Sequence, residues 1–251
     1  MIIAEIGWNF LGNLILAKEM ILSAKKSGCK HVKFQLWDPK NLKKGSWDND
    51  GRREIYNKSF LTNKKYKDLS DFCKLNKIKC FASVFSDYDY KRLLNIDNSI
   101  IKIPSVEAYN LNLIEKSLND FKLVIVSTGA MKKEELDNLQ KFSNCKNLIV
   151  MHCVSSYPLN YKNFNSEKYF YLKSKFKKVG YSGHCMGVED AIFALSNEAV
   201  AVEKHFTTSN ELEGRDNKFA ILPEQLKFIC KYEKKVIDMK IKNGLNLQPN
   251  E

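Results

Sequence analysis

Three of the four histidines in this 251-residue chain close consecutive apolar runs: His152 in LIVMHCVS (148–155), His184 just after KVGYSG (178–183), and His205 in AVAVEKHF (199–206). Imidazoles gathered at one place can ligate a divalent metal or act as general bases. The fourth, His31, opens a run instead of closing one. Lys33 and Lys102 interrupt apolar runs, where an unpaired ammonium is expensive. Either they form ion pairs with Glu5 or Glu107, or they act as point charges for a small, highly charged anion. Ser105, Ser127, Ser155 and Ser182 fall at the ends of four successive runs and could supply the hydroxyl donors that a phosphate requires. Glu5, Gln35, Ser83, Thr128, Tyr157 and Glu203 stand at or near other run ends. Asp216, in EGRDNK, lies eleven residues beyond His205 and could fold back over the same place, although Gly-Arg-Asp is also ordinary loop chemistry.

Converging these side chains requires elements that all end on one side. Eight runs read as buried strands: 2–7, 31–36, 80–85, 100–105, 123–128, 148–155, 178–183 and 199–206. They are apolar and β-branched and lack clean alternation, as parallel strands covered on both faces do. Amphipathic stretches with helical spacing lie between them, at 14–28, 62–76, 87–95, 109–119, 132–142, 166–176, 187–197 and 222–240. Pro223 suits a first helical turn. Eight strands alternating with eight helices over this length predict a single-domain (β/α)8 TIM barrel spanning 1–251. An open doubly wound sheet would carry a Gly-rich first turn, which GWNFLGN is not. In a barrel the chemistry sits at the C-terminal strand ends, where the polar residues fall. The connection 37–61, with Trp37, Trp47, Arg52 and Arg53, is long enough to be a lid or a binding loop.

Composition narrows the function classes. The formal net charge is +12, but 37 of the 41 basic residues are lysines spread along the chain. That pattern argues for a solvated surface favouring small anions and against nucleic-acid recognition. No apolar run reaches the roughly 20 residues a membrane span needs. Seven scattered cysteines without a Cys-x-x-Cys pair fit a reducing cytoplasm.

The motifs IIAEIG, VKFQ, KIPSVE, VSTGAM, HCVSSYPL, GYSGH-x-x-G, EKHFT, EGRDNK and LPEQL, in that order over residues 2–240, resemble the N-acetylneuraminate (sialic acid) synthase family, which includes legionaminate and pseudaminate synthases. The resemblance implies a (β/α)8 barrel. It also implies condensation of phosphoenolpyruvate with an open-chain hexosamine-type aldose, giving a 3-deoxy-2-keto (nonulosonic) acid and phosphate. A divalent metal, Mn2+ or Mg2+, would be held by His184 and His205, leaving His152 a supporting place. Lys33, Lys102, Ser105, Ser127, Ser155 and Ser182 would hold phosphoenolpyruvate. Glu5, Glu107 and Asp216 would be the carboxylates at the reacting centre, with Glu107 managing the water proton and Asp216 orienting the aldehyde or its water. Tyr157 and Gln35 would face the sugar.

The departures from the family pattern fall on the sugar side. Phe10 replaces a histidine, ASVFS (82–86) replaces Ser-Thr-Pro-Phe-Asp, and Asn217 replaces a histidine, so Asn9, Phe10, Ser83 and Asn217 are expected near the acceptor. Gly183 stands where the family often has Asp. The chain stops at NLQPNE, where typical members continue into a small antifreeze-like domain that caps the partner's sugar site. A separate capping subunit or the 37–61 loop with Arg52 and Arg53 could replace that cap, or the acceptor needs no such contact, and a homodimer would rest on barrel contacts. Alternatives are condensation on another aldose, giving an octulosonate-type product, and a non-catalytic phosphosugar-binding barrel.

Overall fold

In the computed structural model, which describes residues 1–41, 44–45 and 48–242, the strands close into a parallel barrel whose order in space is their order in sequence. They are β1 (Ile2–Gly7), β2 (His31–Leu36), β3 (Lys79–Val84), β4 (Ile100–Ile103), β5 (Leu123–Ser127), β6 (Leu148–Cys153), β7 (Val179–Gly183) and β8 (Val202–His205). The predicted barrel is therefore the observed one. β4 is shorter than its apolar run because Pro104 lacks the N–H needed to continue the ladder, and a 3-10 turn over Ser105–Glu107 follows. β8 is also shorter than its run, with Ala201 and Phe206 outside it.

Each expected helix forms: α1 (Leu14–Lys26), α3 (Asn63–Leu75), α4 (Asp87–Ile96), α5 (Leu111–Asp120), α6 (Lys133–Leu139), α7 (Ser166–Lys175), α8 (Glu189–Ser196) and α10 (Pro223–Met239). Two more were not anticipated, α2 (Arg52–Ser59) inside the long connection and α9 (Arg215–Phe219) after β8. Both are short, polar and led by a glycine, so their composition reads as loop. Trp47 and the NLQPNE terminus lie outside the described residues. No described helix is long and apolar enough to cross a membrane.

Strand alternation sorts side chains into two cores. Residues facing the helices, such as Ile2, Ala4, Val32, Phe34, Val124 and Val202, join one continuous outer core. Residues facing the axis begin with an apolar floor of Ile3, Phe81, Ile100, Ile125, Ile149, Met151 and Ala201. Two residues further along the same strands, the axis side turns polar: Glu5, Ser83, Lys102, Ser127, Cys153 and Glu203. Register sets several of these polar residues side by side across adjacent strands, Glu5 beside Lys33 and His205, Ser83 beside Lys102, and Ser182 beside Glu203.

The long connection is tied down at its exit. Arg92 of α4 is 5% exposed; its Nε donates to Asn63 Oδ1 (2.7 Å), its Nη1 to Asp89 Oδ1 (3.1 Å) and its Nη2 to the Leu61 carbonyl. Replacing Arg92 by Met would leave Asp89 buried without its cation. A loss of about 3–5 kcal/mol in unfolding free energy is expected from urea denaturation, the usual cost of breaking a buried pair on one side.

Candidate active site

A cavity of about 380 Å3 opens at the C-terminal ends of the strands. The thirteen residues to which the family resemblance assigns a catalytic, phosphoenolpyruvate, sugar or metal role all line it: Glu5, Lys33, Gln35, Lys102, Ser105, Glu107, Ser127, Ser155, Tyr157, Ser182, His184, His205 and Asp216. Its base is an ion-pair network. Lys102 Nζ lies 2.8 Å from Glu203 Oε2, and Lys33 Nζ lies 2.8 Å from Glu5 Oε1 and 3.5 Å from Glu203 Oε1. Lys33 also donates to Ser83 Oγ (2.7 Å), and Gln35 Nε2 donates to Glu5 Oε1 (2.8 Å). Glu5 was an expected partner, whereas Lys102 takes Glu203 where Glu107 was the alternative.

Burial opposes ionisation of Glu203, but Lys102 and Lys33 outweigh it and bring the carboxyl down to about 2. Burial likewise opposes the Lys33 ammonium, yet Glu203 and Glu5 hold it above the usual lysine range. Lys102 goes the other way: burial, with the like charge of Lys33, pulls it down further than Glu203 pulls it up.

Four serines share the cavity with the lysines. Ser182 Oγ donates to Glu203 Oε1 (3.3 Å), and Ser105 Oγ accepts from the Gly129 amide (2.9 Å). The backbone at Gly129 passes so close behind the hydroxyls that a Cβ there would meet Ser155 Oγ at 2.5 Å and Ser105 Oγ at 2.7 Å. Glu5 Oε2, Ser127 Oγ and His205 Nδ1 are buried without a hydrogen-bond partner. Orphaned atoms of this kind are costly unless a ligand or water engages them.

Two imidazoles, not three, reach the cavity. Position 152 falls on the outward side of β6, so His152 packs among Phe164, Tyr169 and Tyr181 and its Nε2 bonds to the Phe164 carbonyl (2.6 Å). The three-histidine cluster is thereby corrected to a pair. His184 donates from Nδ1 to the Val154 carbonyl (2.8 Å), which leaves Nε2 as its acceptor. Burial, then the charge of His205, brings the His184 ring down to about 3, so it is neutral. The His184 and His205 centroids are 5.5 Å apart, and Asp216 Oδ2 lies 3.6 Å from His205 Nδ1. No three His, Cys, Asp or Glu side chains among the described residues form a metal cage by themselves. The donor set fits a cation held by the two imidazoles and completed by substrate or water.

The sugar-side expectations need a second correction. Ser83 lines the cavity, but Asn9, Phe10 and Asn217 do not. Phe10 packs edge-on to Phe34 in the outer core, with centroids 5.8 Å apart. Asn9 Nδ2 donates to the Phe206 carbonyl (2.9 Å) and Asn217 Nδ2 to the Asn9 carbonyl (3.1 Å), stitching β1, β8 and α9 together. Arg52 lines the cavity, paired with Asp50, whereas Arg53 binds Asp48 and the Pro39 carbonyl.

Other residues complete the walls. Glu203, expected at a run end but given no role, lines the cavity because it shares strand parity with His205. The aromatic residues Trp8, Trp37, Tyr56 and Phe85 were not anticipated, because four separate segments bring them together. Trp37 stacks on Trp8 at 4.9 Å and on Phe85 at 4.7 Å, and lies 4.1 Å from the Tyr56 ring. Tyr157 covers His184 at 4.1 Å, and the Arg215 guanidinium lies over Tyr157 at 4.9 Å.

These charges set how stability depends on pH. Burial holds His184 at about 3, and His31 and His152 at about 4, against 6.5 unfolded. Their folded values lie below the unfolded one, so the stability they confer is complete above pH 6.5 and is lost as pH falls toward 3. Glu203, at about 2 against 4.5, adds a further loss below pH 4.5. Urea midpoints should therefore fall between pH 7 and pH 5, and more steeply below pH 4.5. Glu203→Gln, which leaves Lys102 without its carboxylate and Lys33 with Glu5 alone, should lower the unfolding free energy at pH 7 by about 3–5 kcal/mol.

Comparison with known proteins converges on one family. The sequence profile described as NeuB family matches residues 20–242. The chain is 32% identical over 248 residues to the N,N'-diacetyllegionaminic acid synthase of Campylobacter jejuni, covering 92% of this chain and 74% of that protein. It is 33% identical over 241 residues to the N-acetylneuraminate-9-phosphate synthase of Drosophila melanogaster, covering 90% of this chain and 65% of that one. The crystal structure of the N-acetylneuraminic acid synthetase of Leptospira borgpetersenii superposes with a TM-score of 0.89 at 29% identity, covering 100% of this chain and 88% of that one. A truncated 3-deoxy-D-arabino-heptulosonate 7-phosphate synthase of Thermotoga maritima, at 15% identity and a TM-score of 0.71, shares the fold. A profile match over most of the chain, with relatives above 30% identity, places this protein in the NeuB family.

Proposed function

We propose that the protein condenses phosphoenolpyruvate with an open-chain aldose of the N-acylhexosamine type, releasing phosphate and forming a nonulosonate. The observation that carries this reading is the pair of buried lysines sharing one cavity with four serine hydroxyls, two imidazoles and Asp216. C3 of phosphoenolpyruvate forms the new bond to the aldehyde carbon, whose oxygen takes a proton. Water adds at C2, and the C2–O bond to phosphate then breaks to leave the 2-keto acid.

Lys33, Lys102 and the hydroxyls of Ser105, Ser127, Ser155 and Ser182 hold the phosphate and carboxylate while charge moves through C2. Glu107 takes the proton of the attacking water, and Asp216, beside His205, orients the aldehyde oxygen. Glu5, with one oxygen unpartnered, faces the same centre. A divalent cation, Mn2+ or Mg2+, would be held by His184 and His205 and would supply Lewis-acid polarisation of the aldehyde.

The acceptor rests on the aromatic side. Trp8, Trp37, Tyr56 and Phe85 offer ring faces to the apolar faces of a sugar and its acyl groups, next to Gln35 and Tyr157. Arg52 and Arg215, the rim guanidiniums, are paired with Asp50 and Asp216, which favours a neutral acceptor over a sugar phosphate.

Phosphate release from phosphoenolpyruvate with Mn2+ should appear only when an aldose is added, in a screen of N-acetylmannosamine, its 6-deoxy-diamino relatives, and simple pentoses and hexoses. Lys102→Met should lower kcat/KM for phosphoenolpyruvate at least 100-fold, as expected for a lost charge at the reacting group. Release with none of these aldoses would overturn the reading in favour of a binding barrel. A preference for simple pentoses or hexoses would redirect it to an octulosonate-type condensation.

A further inference from the structure

Behind the two imidazoles lies another buried ion pair, which faces away from the cavity. Lys204 sits between Glu203 and His205 in β8, so it points into the outer core, with its side chain 3% exposed. All its donors are used: Nζ bonds to the Cys185 carbonyl (2.7 Å) and to both Asp190 oxygens (2.9 and 2.8 Å). Asp190 lies in the first turn of α8 and also accepts from the Tyr181 hydroxyl (2.9 Å).

One ammonium group thus joins the residue before His205 to the residue after His184. The other side of His184 is tied as well, since its own carbonyl accepts from the Leu159 amide (2.9 Å). Gly183 stands opposite Lys204 in the β7–β8 register. A Cβ on Gly183 would meet Asp190 Oδ2 and a Tyr181 ring carbon at 2.5 Å each. The strand therefore gives up a side chain so that the helix can deliver its carboxylate to Lys204.

We propose that Lys204 and Asp190 are positioning residues that set the separation and orientation of the His184 and His205 rings. A buried ion pair contributes little net stability compared with apolar residues of the same volume, so stability alone does not account for this arrangement. What it supplies is a fixed tether at the point where β7 leaves the sheet. The inference rests on the proposed joint use of the two imidazoles, but ring positions can be read without any turnover.

The deciding variant is K204M/D190N, compared with Lys204→Met and Asp190→Asn alone. Each single change strands a buried partner and should lower the thermal midpoint, whereas the double change should restore most of it. Long-range 1H–15N spectra of the imidazoles should show the His184 and His205 signals displaced in the double variant, with His31 unchanged. Mn2+ affinity, read from the electron paramagnetic resonance of free Mn2+, should fall about 10- to 100-fold, the usual consequence of losing a group behind a ligand.

A stable double variant with native ring signals and native Mn2+ affinity would overturn the proposal. Failure of the native protein to bind Mn2+ would overturn the metal assignment instead, and the ring signals would still decide the positioning role. If the double variant does not fold, Asp190→Ala decides by the same signals, displaced rings supporting the proposal and native rings overturning it.

Discussion

The structure turns on Glu203, a carboxylate on the barrel axis held between two ammonium groups. Lys33 and Lys102 could not stay charged in an apolar barrel without it, because an isolated buried ion is far too costly. With Glu5 completing the set, two cations and two anions cancel, and the layer is neutral before any ligand arrives. A multiply charged anion entering this layer would rearrange existing ion pairs instead of meeting bare lysines. The serine hydroxyls in the cavity can follow such a change by rotation alone.

How much of this was legible in the sequence depends on period. Strands buried on both faces show themselves as apolar runs, and the eight runs became the eight strands. Within a run the two-residue alternation decides which way a side chain points, and there the reading went astray once. His152 closes an apolar run as His184 and His205 do, but it sits one residue off their parity and so joins the helices. The same rule would have singled out Glu203, two residues before His205. The Trp8–Trp37–Tyr56–Phe85 wall obeys no period, since it is assembled from β-strand ends and the helix inside the long connection. α9 was hidden because five residues with Gly, Arg, Asp and Asn read as a turn.

Phe10 shows how a motif departure can mislead. Its place in a polar motif suggested an altered sugar contact, yet its ring is part of the packing between β1 and β2. Variation at that position is therefore felt first as core volume. The proposed acceptor would instead meet the aromatic wall and Tyr157, whose ring lies over His184. Family membership and barrel geometry agree on the fold that holds this cavity.

The apolar floor of Ile3, Phe81, Ile100, Ile125, Ile149, Met151 and Ala201 closes the barrel below the charged layer. The cavity is thus a blind well, and whatever enters must leave by the mouth it came through. With the lysines on the strands and the aromatic rings beyond the strand ends, an anion seated on the ammonium groups would lie deeper than anything resting on the rings. A ligand at the rings would then stand between that anion and the mouth, so the well is graded by depth as well as by charge.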